Sequence, residues 1–476
     1  MFAVFAIAPV LMGVLLLDYL TRRTDRNPGF RVVTLCLGAG VGFGICSLIY
    51  FIWALLGKPL AHGFLFIEVG CLLGLTLGYI FTRRDCTVST ESHHYPAPQS
   101  SIPWVLRCGF YVVLGFALAR FSGLSLQNPH GYVDAWVIYN LRAKFLLQAN
   151  LSWHNAFSDL LAFSHPDYPL LIPANVARGW EYVGENTVFV PILIAMIFTF
   201  VTAGLLMSAV TVVRTSLAQG YLAGLVLLSG LSFIEIGTYQ YADVPFAFFC
   251  LATIVLFALY DSSSGADKSF LVIAGLTAGF GTWAKNEGWL FLLSIACARF
   301  ISIALYSHIK QVLREGLFFA LGLVPVIVVV VYFKLYIAPA NDLVSSQQVQ
   351  HVLPRLMDIS RYFQVGGQFL QQLMRLGDWP VPTLALLFCN LIFLGLRVEE
   401  KQKQSIATGA IALVLTLIGY FFTYIVSPHP LSYHLDTSLS RVLQHLWPSL
   451  LFVYFLVVRV PDVATEYIQR LKPKTA

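Results

Sequence analysis

The chain has few charged residues for its length. Only 11% of its 476 residues are charged, whereas 58% are hydrophobic, and this balance excludes a soluble globular domain. Its eight cysteines fall in apolar segments or short loops, so we expect no disulfide framework. The first segment has neither a basic start nor a small-residue cleavage site, so we expect no cleavable signal. The fold class that remains is an all-α polytopic membrane protein.

Apolar runs of membrane-spanning length recur along the chain and predict about thirteen transmembrane helices. We expect them near residues 2–20, 32–56, 63–82, 104–121, 187–213, 218–236, 243–260, 269–283, 287–306, 315–336, 379–396, 405–427 and 442–458. This pattern divides the chain into N-terminal transmembrane helices (1–121), a large outer loop with an interfacial helix (122–186), further transmembrane helices (187–336), a second outer loop (337–378), and C-terminal transmembrane helices with a short inner tail (379–476).

Basic residues in the short loops predict the orientation, because cytoplasmic loops are rich in Lys and Arg. Most of these residues fall in alternate short loops, such as 22–31 and 397–403. We therefore expect the N-terminus outside, the C-terminus inside and both long loops on the outer face. The membrane is expected to be a bacterial cytoplasmic (inner) membrane. The net charge of +6 then belongs to inner loops, and no nucleic-acid partner is indicated.

The longest polar interruption runs from Asn128 to Pro173. A helix is expected to start near Tyr132 and to run to about Gln148 in the membrane interface, because its apolar and polar residues are mixed. Asp134 falls in its first turn. It is either an acid favoured by the helix dipole or a general base held at the membrane surface.

The end of this interruption, from His165 to Pro173, contains three prolines and has no helical period. It predicts a rigid extended loop, because proline fixes the backbone and removes a hydrogen-bond donor. Such a loop either walls a pocket or simply covers the spans.

Charged residues also occur at the outer ends of later spans. Asp243 precedes Pro245 and is either a helix start or a functional group, with Glu235 as its expected neighbour. The triplet Lys285–Glu287 is either a short turn or a phosphate-neutralising group. Arg441 opens the last span. It is either a phosphate partner or a side chain that merely extends its charged end to the membrane surface.

Histidines near the end of the chain raise the question of a metal. They lie beside one acid, but their spacing matches no standard ligand set. The residues in question are His429, His434, His445 and Asp436. The sequence requires no cofactor and leaves a divalent metal open.

The order of these motifs resembles the membrane-embedded glycosyltransferases of the C-type (GT-C) fold. The nearest relatives by motif are the protein O-mannosyltransferases (glycosyltransferase family 39) and the lipid A aminoarabinose transferases. The likeness covers about residues 120 to 450. It rests on an outer loop with an acid, an interfacial helix and Tyr168-Pro169, on Ala242-Asp243-Val244-Pro245, on Lys285-Asn286-Glu287-Gly288, and on Arg441 before Pro448.

The resemblance implies an inverting glycosyltransferase, a hexosyl- or pentosyltransferase that uses a polyprenyl-phosphate-linked sugar at the outer membrane surface. The acceptor would be a lipid, a glycan or a protein. In such a family the loop aspartate acts as general base, which puts that role on Asp134. The candidate substrate- and phosphate-binding residues are Asp243, Lys285, Glu287, Arg441, Tyr168 and His165.

The chain also departs from these relatives. About four spans precede the catalytic loop, where relatives usually have one. Tyr168 with a single following proline stands where the aminoarabinose transferases carry a lysine before paired prolines. No pair of adjacent acids follows the loop aspartate, as it does in the protein O-mannosyltransferases.

Two other classes of function stay open. A transporter or flippase would suit the many spans, the acid Glu68 and the glycine-rich stretch 38–44, although no paired half-length segments indicate inverted repeats. A polymer ligase that uses lipid-linked donors would concentrate arginines and a histidine in one late loop. The 337–378 segment has such residues.

Overall fold

The computed structural model describes residues 2–21, 28–57, 63–85, 104–148, 150–263, 265, 267–340 and 351–459. Within these ranges the chain is mostly helical, with an isolated β-bridge between Leu396 and Val458. The basic residues 22–27 and the C-terminal tail, which entered the orientation argument, lie outside the described residues.

Nine helices in the described ranges are long and apolar enough to cross a membrane. They are α1 (Phe2–Thr21), α2 (Pro28–Leu55), α3 (Gly63–Asp85), α4 (Trp104–Gln127), α7 (Phe189–Arg214), α10 (Asp243–Ser262), α12 (Glu287–Tyr306), α13 (Lys310–Tyr336) and α17 (Lys403–Val426). The expected all-α polytopic membrane protein is thereby confirmed.

Shorter apolar helices occupy the remaining predicted spans. Two of them meet at a bend of 63° and count as one further span if taken together. This bent pair is α8 (Leu217–Ser229) with α9 (Leu231–Thr238), and the others are α11 (Ser269–Ala284), α16 (Thr383–Leu394) and α19 (Trp447–Val457). The total of thirteen spans stays a prediction, because these three are too short to count as spanning helices by length.

Helix α10 is the centre of the bundle. Its whole spanning window is buried inside the protein, and it packs against α7, α11 and α19. Its apolar residues, rich in phenylalanine, therefore face protein on every side, as an all-round hydrophobic helix must. The two ends of α10 carry acids, Asp243 and Asp261, about 30 Å apart by helix geometry.

The glycine-rich stretch of α2 has a packing explanation. A Cβ atom added at Gly42 would lie 1.7 Å from the carbonyl oxygen of Pro9, and one at Gly13 would lie 1.8 Å from that of Gly38. Small residues let two membrane helices approach closely enough for their backbones to touch. These glycines serve the α1–α2 contact, so they no longer count in favour of a transporter.

The loop at 122–186 contains more helix than expected. A π-helical segment (Ala135–Asn140) runs directly into α5 (Leu141–Leu147), which agrees with the predicted helix. Two 3₁₀ segments follow, at Asn150–Phe157 and Asp159–Ser164. Helix α6 then begins at Leu171, so the expectation of an extended loop as far as Pro173 was wrong. Proline is tolerated in the first helical turn, where its missing N–H has no partner in any case.

The second long loop is also partly helical. Its described part contains α14 (Val352–Met357) and the amphipathic α15 (Ile359–Met374). Arg355 donates to the carbonyl oxygen of Val426, and Arg361 donates to those of Tyr424, Ile425 and Ser427. These arginines satisfy the free carbonyl groups at the end of α17, where cations are favoured. They therefore have a structural role.

A buried ion pair holds α6 against α3. The guanidinium of Arg178 binds both carboxylate oxygens of Glu68, at 2.6 and 3.1 Å, and neither side chain is exposed. The hydroxyl of Tyr182 donates to the same carboxylate, and Arg178 also donates to the carbonyl oxygen of Phe5. Glu68 is thus fully engaged in a structural contact.

Loss of one partner of this buried pair should destabilise the protein severely. Arg178→Met leaves the Glu68 charge buried and unpaired, so we expect a loss of about 3–5 kcal/mol in the free energy of unfolding. The control is Arg120→Gln, which removes a half-exposed pair with Glu235 and should cost at most about 1 kcal/mol. Unfolding by SDS in mixed micelles, followed by tryptophan fluorescence, measures both. Equal losses would contradict the structural role.

Candidate functional site

Five of the predicted site residues meet at one end of the bundle. Asp134 directly precedes the helix in the 122–186 loop, and Asp243 starts α10. Lys285 follows α11, and Glu287 starts α12. Arg441 comes from the last turn of α18 (Leu431–Gln444). Segments far apart in sequence therefore deliver their charged residues to a single cluster.

Asp134 and Arg441 form the accessible part of this cluster. Atom Nη1 of Arg441 lies 2.8 Å from Oδ2 of Asp134, and the two side chains are 21% and 31% exposed. Tyr241 holds both residues, because its hydroxyl accepts the backbone N–H of Asp134 and its ring lies 5.0 Å from the guanidinium carbon of Arg441. A carboxylate and a guanidinium thus stand side by side at a surface that a ligand can reach.

The geometry of Asp134 does not support its interpretation as a helix-start residue. Its side chain makes no cap to the backbone N–H groups of the helix that follows. The carboxylate instead accepts from Arg441, a residue 307 positions later in the chain. The side chain therefore has a tertiary partner rather than a local one.

Asp243 is the buried centre of the cluster. Its Oδ1 atom lies 3.0 Å from Nζ of Lys285 and 2.8 Å from Nε2 of His445. Its Oδ2 atom lies 3.8 Å from Nη1 of Arg441 and is buried without a hydrogen-bond partner among the described residues. A buried carboxylate needs such cations, because an unpaired charge in an apolar interior is very costly.

His445 extends the cluster inward. A carboxylate only accepts hydrogen bonds, so the Nε2 atom facing Asp243 must carry the proton. Its Nδ1 atom, 3.1 Å from the hydroxyl of Tyr420, is then the acceptor. Both neighbours thus fix the tautomer of the neutral imidazole.

Lys285 is shared by two carboxylates. Its Nζ atom lies 3.0 Å from Asp243 and 3.2 Å from Oε1 of Glu287, and only 6% of its side chain is exposed. Burial alone lowers the pKa of Lys285, but the charges of Asp243 and Glu287 outweigh it and raise that pKa well above its usual range. The ammonium group therefore stays charged, and the two carboxylates already balance its charge.

A second group of polar residues adjoins this cluster. Asn286 donates to Oδ2 of Asp167 at 2.6 Å and accepts from Nζ of Lys334 at 2.6 Å. Lys334 also donates to the carbonyl oxygen of Asp167, and 23% of its side chain is exposed. The proline-rich segment is thereby tied to the turn between α11 and α12.

The structure brings Tyr168 close to the site, and His165 lies next to it. Burial, followed by the charge of Glu287, raises the pKa of Tyr168 well above its usual range. The ring of His165 lies 5.5 Å from that of Tyr168, and its backbone has a left-handed φ of 48°. Both residues therefore lie at the edge of the cluster.

Two other expectations about neighbours need comment. Glu235 pairs with Arg120 at 3.3 Å and accepts from the hydroxyl of Tyr239 at 3.1 Å, so the partners that the structure records for it are these two residues. At the opposite end of α10, Arg299 binds Asp261 and Glu315 at 2.6 and 2.8 Å. The sequence predicted mostly short basic loops at this end, whereas its arginine is buried and paired.

The late histidines form a separate set at the rim. Atom Nδ1 of His434 shares a hydrogen bond of 2.7 Å with the hydroxyl of Ser427, and the ring of His434 lies 5.5 Å from that of His429. Burial and the neighbouring His429 lower the pKa of His434 to about 4. Among the described residues, no group of three or more His, Cys, Asp or Glu side chains has the arrangement to hold a metal ion.

Comparisons with protein-family models, with curated proteins and with solved structures found no match for this chain. The chemistry of the site therefore has to be argued from its own side chains.

Sequence reasoning missed several members of the site. The hydroxyl of Tyr420 lies in an apolar span, and Lys334 closes another, so neither interrupts the hydrophobic pattern. Asp167 and Asn286 lie within motifs that were singled out for other residues. A signal for His445 did exist, because a histidine one turn from Arg441 and before Trp447-Pro448 is unusual in so apolar a segment.

Proposed function

We propose that this protein is an inverting glycosyltransferase that transfers a sugar from a polyprenyl-phosphate donor to an acceptor at the outer face of the membrane. The observation that carries this proposal is the accessible pair of Asp134 and Arg441 seated on the buried Asp243 group. It supplies, side by side at one end of the membrane helices, a base for a hydroxyl group and a cation for a phosphate.

The reaction requires these two groups and no covalent protein intermediate. The acceptor hydroxyl oxygen bonds to the anomeric carbon while the bond from that carbon to the phosphate oxygen breaks. The bonding electrons leave with the phosphate, which Arg441 neutralises, and the hydroxyl proton passes to Asp134. A donor whose phosphate lies at the bilayer surface reaches this depth without leaving its lipid.

The buried residues have a positioning role in this proposal. Lys285 is almost inaccessible and already serves two carboxylates, so Arg441 is the better contact for a phosphate. Arginine also grips phosphate oxygens with two parallel hydrogen bonds, whereas lysine acts as a point charge. Asp243 then holds Arg441, and Lys285, which is shared with Glu287, balances the charge of Asp243. Tyr168 and His165 border this group.

No observation on the described residues favours the alternatives. A transporter or flippase would need polar groups free at mid-depth, but Glu68 is bound to Arg178. A polymer ligase would need free arginines in the second long loop, but Arg355 and Arg361 bind backbone carbonyl groups. The GT-C-like arrangement with about thirteen spans, in a bacterial cytoplasmic membrane, is part of the same proposal.

Replacement of the base should abolish transfer. Asp134→Asn keeps the size of the side chain but cannot take a proton, so we expect a loss of about 10²–10⁴-fold in rate. Cells that lack the protein supply the accumulated lipid-linked sugar. Thin-layer chromatography then follows the consumption of this donor by membranes that carry each variant.

The matched control is Asp159→Asn, because Asp159 is an exposed acid in the first turn of a 3₁₀ segment of the same loop. It should leave the rate near that of the unaltered protein. Asparagine starts helices about as well as aspartate. Near-normal donor consumption by a well-expressed Asp134→Asn protein would therefore reduce Asp134 to a helix-start residue and refute its role as base.

Orientation gives an independent test. In a cysteine-free background, Tyr433→Cys near the site should react with a membrane-impermeant maleimide on intact cells, because Tyr433 is 64% exposed. Glu400→Cys lies just before the other end of α17, on the proposed inner face, and its side chain is 85% exposed. It should therefore react with the maleimide, but only after the membrane is opened. The reverse labelling pattern would place the site on the cytoplasmic face.

A further inference from the structure

The resting distance between Asp134 and Arg441 does not suit the reaction. In an inverting displacement the hydroxyl attacks from the side opposite to the departing group. Inverting glycosidases accordingly keep their two carboxyl groups roughly 6.5–9.5 Å apart, which leaves room between them. Here the base and the phosphate contact touch at 2.8 Å, so a sugar cannot lie between them until they separate.

We propose that the Asp134–Arg441 ion pair is a latch that the donor phosphate opens. The phosphate competes with Asp134 for the guanidinium, and its binding releases the carboxylate to act as base. The site is therefore an anion site with its own internal competitor, and the donor binds before the acceptor is activated. This inference rests on the proposed function, because it takes the competing anion to be a lipid phosphate.

Arg441 has the contacts that such an exchange needs. Its Nε atom is held by the carbonyl oxygen of Thr437, and Nη1 is held by Asp134. Within the described part of the chain, Nη2 has no hydrogen-bond partner. A phosphate oxygen can therefore bind at Nη2 first and then displace the carboxylate from Nη1, which gives the two-point contact that arginine favours.

Asp243 is a second carboxylate that the guanidinium of Arg441 can bind. Its Oδ2 atom is buried, lacks a hydrogen bond and lies 3.8 Å from Nη1 of Arg441. A shift of about 1 Å would bring this pair to ordinary hydrogen-bond distance. The buried carboxylate thus keeps Arg441 charged and close while the contact with Asp134 breaks.

The latch also explains why Arg441 is a suitable phosphate contact despite its ion pair. Burial alone lowers the pKa of Arg441, but Asp243 and Asp134 raise it above its usual value, so the group is always charged. The donor phosphate is a diester with one charge and two free oxygens, so it competes with Asp134 on equal charge and gains from being delivered to the site by its lipid. It becomes a monoester with up to two charges as the sugar leaves, and Arg441 then binds it more strongly than it binds Asp134.

Binding of a sugar-free lipid phosphate tests the latch without any transfer. The probe is polyprenyl phosphate, with the corresponding polyprenol as its uncharged counterpart, and the receptor is the full chain in lipid nanodiscs. Asp134→Asn removes the internal competitor, so it should bind polyprenyl phosphate about 5–10-fold more tightly than the unaltered protein. Its affinity for polyprenol should not change. Arg441→Ala in the same background should remove the gain.

The matched control is Asp436→Asn, which removes an exposed negative charge from α18, the helix that carries Arg441. It shows how much of any gain comes from net charge alone, and a gain equal to that of Asp134→Asn would overturn the latch. If the unaltered protein binds the phosphate through Arg441 but Asp134→Asn binds it no more tightly, the latch is wrong and the proposed function survives. If neither protein prefers the phosphate to polyprenol, both proposals fail.

Discussion

The carboxylate of Asp243 is the charge on which the rest of the site depends. It is buried at the start of the central helix, and burial of an unpaired carboxylate in an apolar bundle would be prohibitively costly. Lys285, His445 and Arg441 approach it from three other segments of the chain. The cost of burial is offset only when all of these segments are in place, so the assembly of the bundle also assembles the site.

The bundle around this carboxylate is built to be rigid. Close backbone contacts between α1 and α2, a fully buried α10 and the Arg178–Glu68 pair fix the helices that surround the site. Arg299 binds two acids at the far end of α10 in a similar way. The outermost pair of the cluster, Asp134 with Arg441, is partly exposed, and this is the contact that a ligand can exchange.

The sequence predicted the charged residues of the site better than their partners. A charged side chain at the end of an apolar span is costly unless it has a partner or a function. The sequence therefore identified four such residues, namely Asp134, Asp243, Lys285 and Arg441. Tyr420 could not be found, because a tyrosine in a span looks like any other aromatic residue of the core. The pairing of Glu235 was also beyond reach, since Arg120 approaches it from a helix more than a hundred positions earlier.

The central claim is that Arg441 receives the phosphate of a lipid-linked donor at the outer end of the bundle. An electron cryomicroscopy structure of the full chain in nanodiscs loaded with polyprenyl phosphate tests it most directly. The phosphate should lie about 3 Å from the guanidinium of Arg441, with the Asp134 carboxylate turned away from it. A phosphate bound at the other end of α10, near Arg299, with Arg441 still on Asp134, would contradict the account.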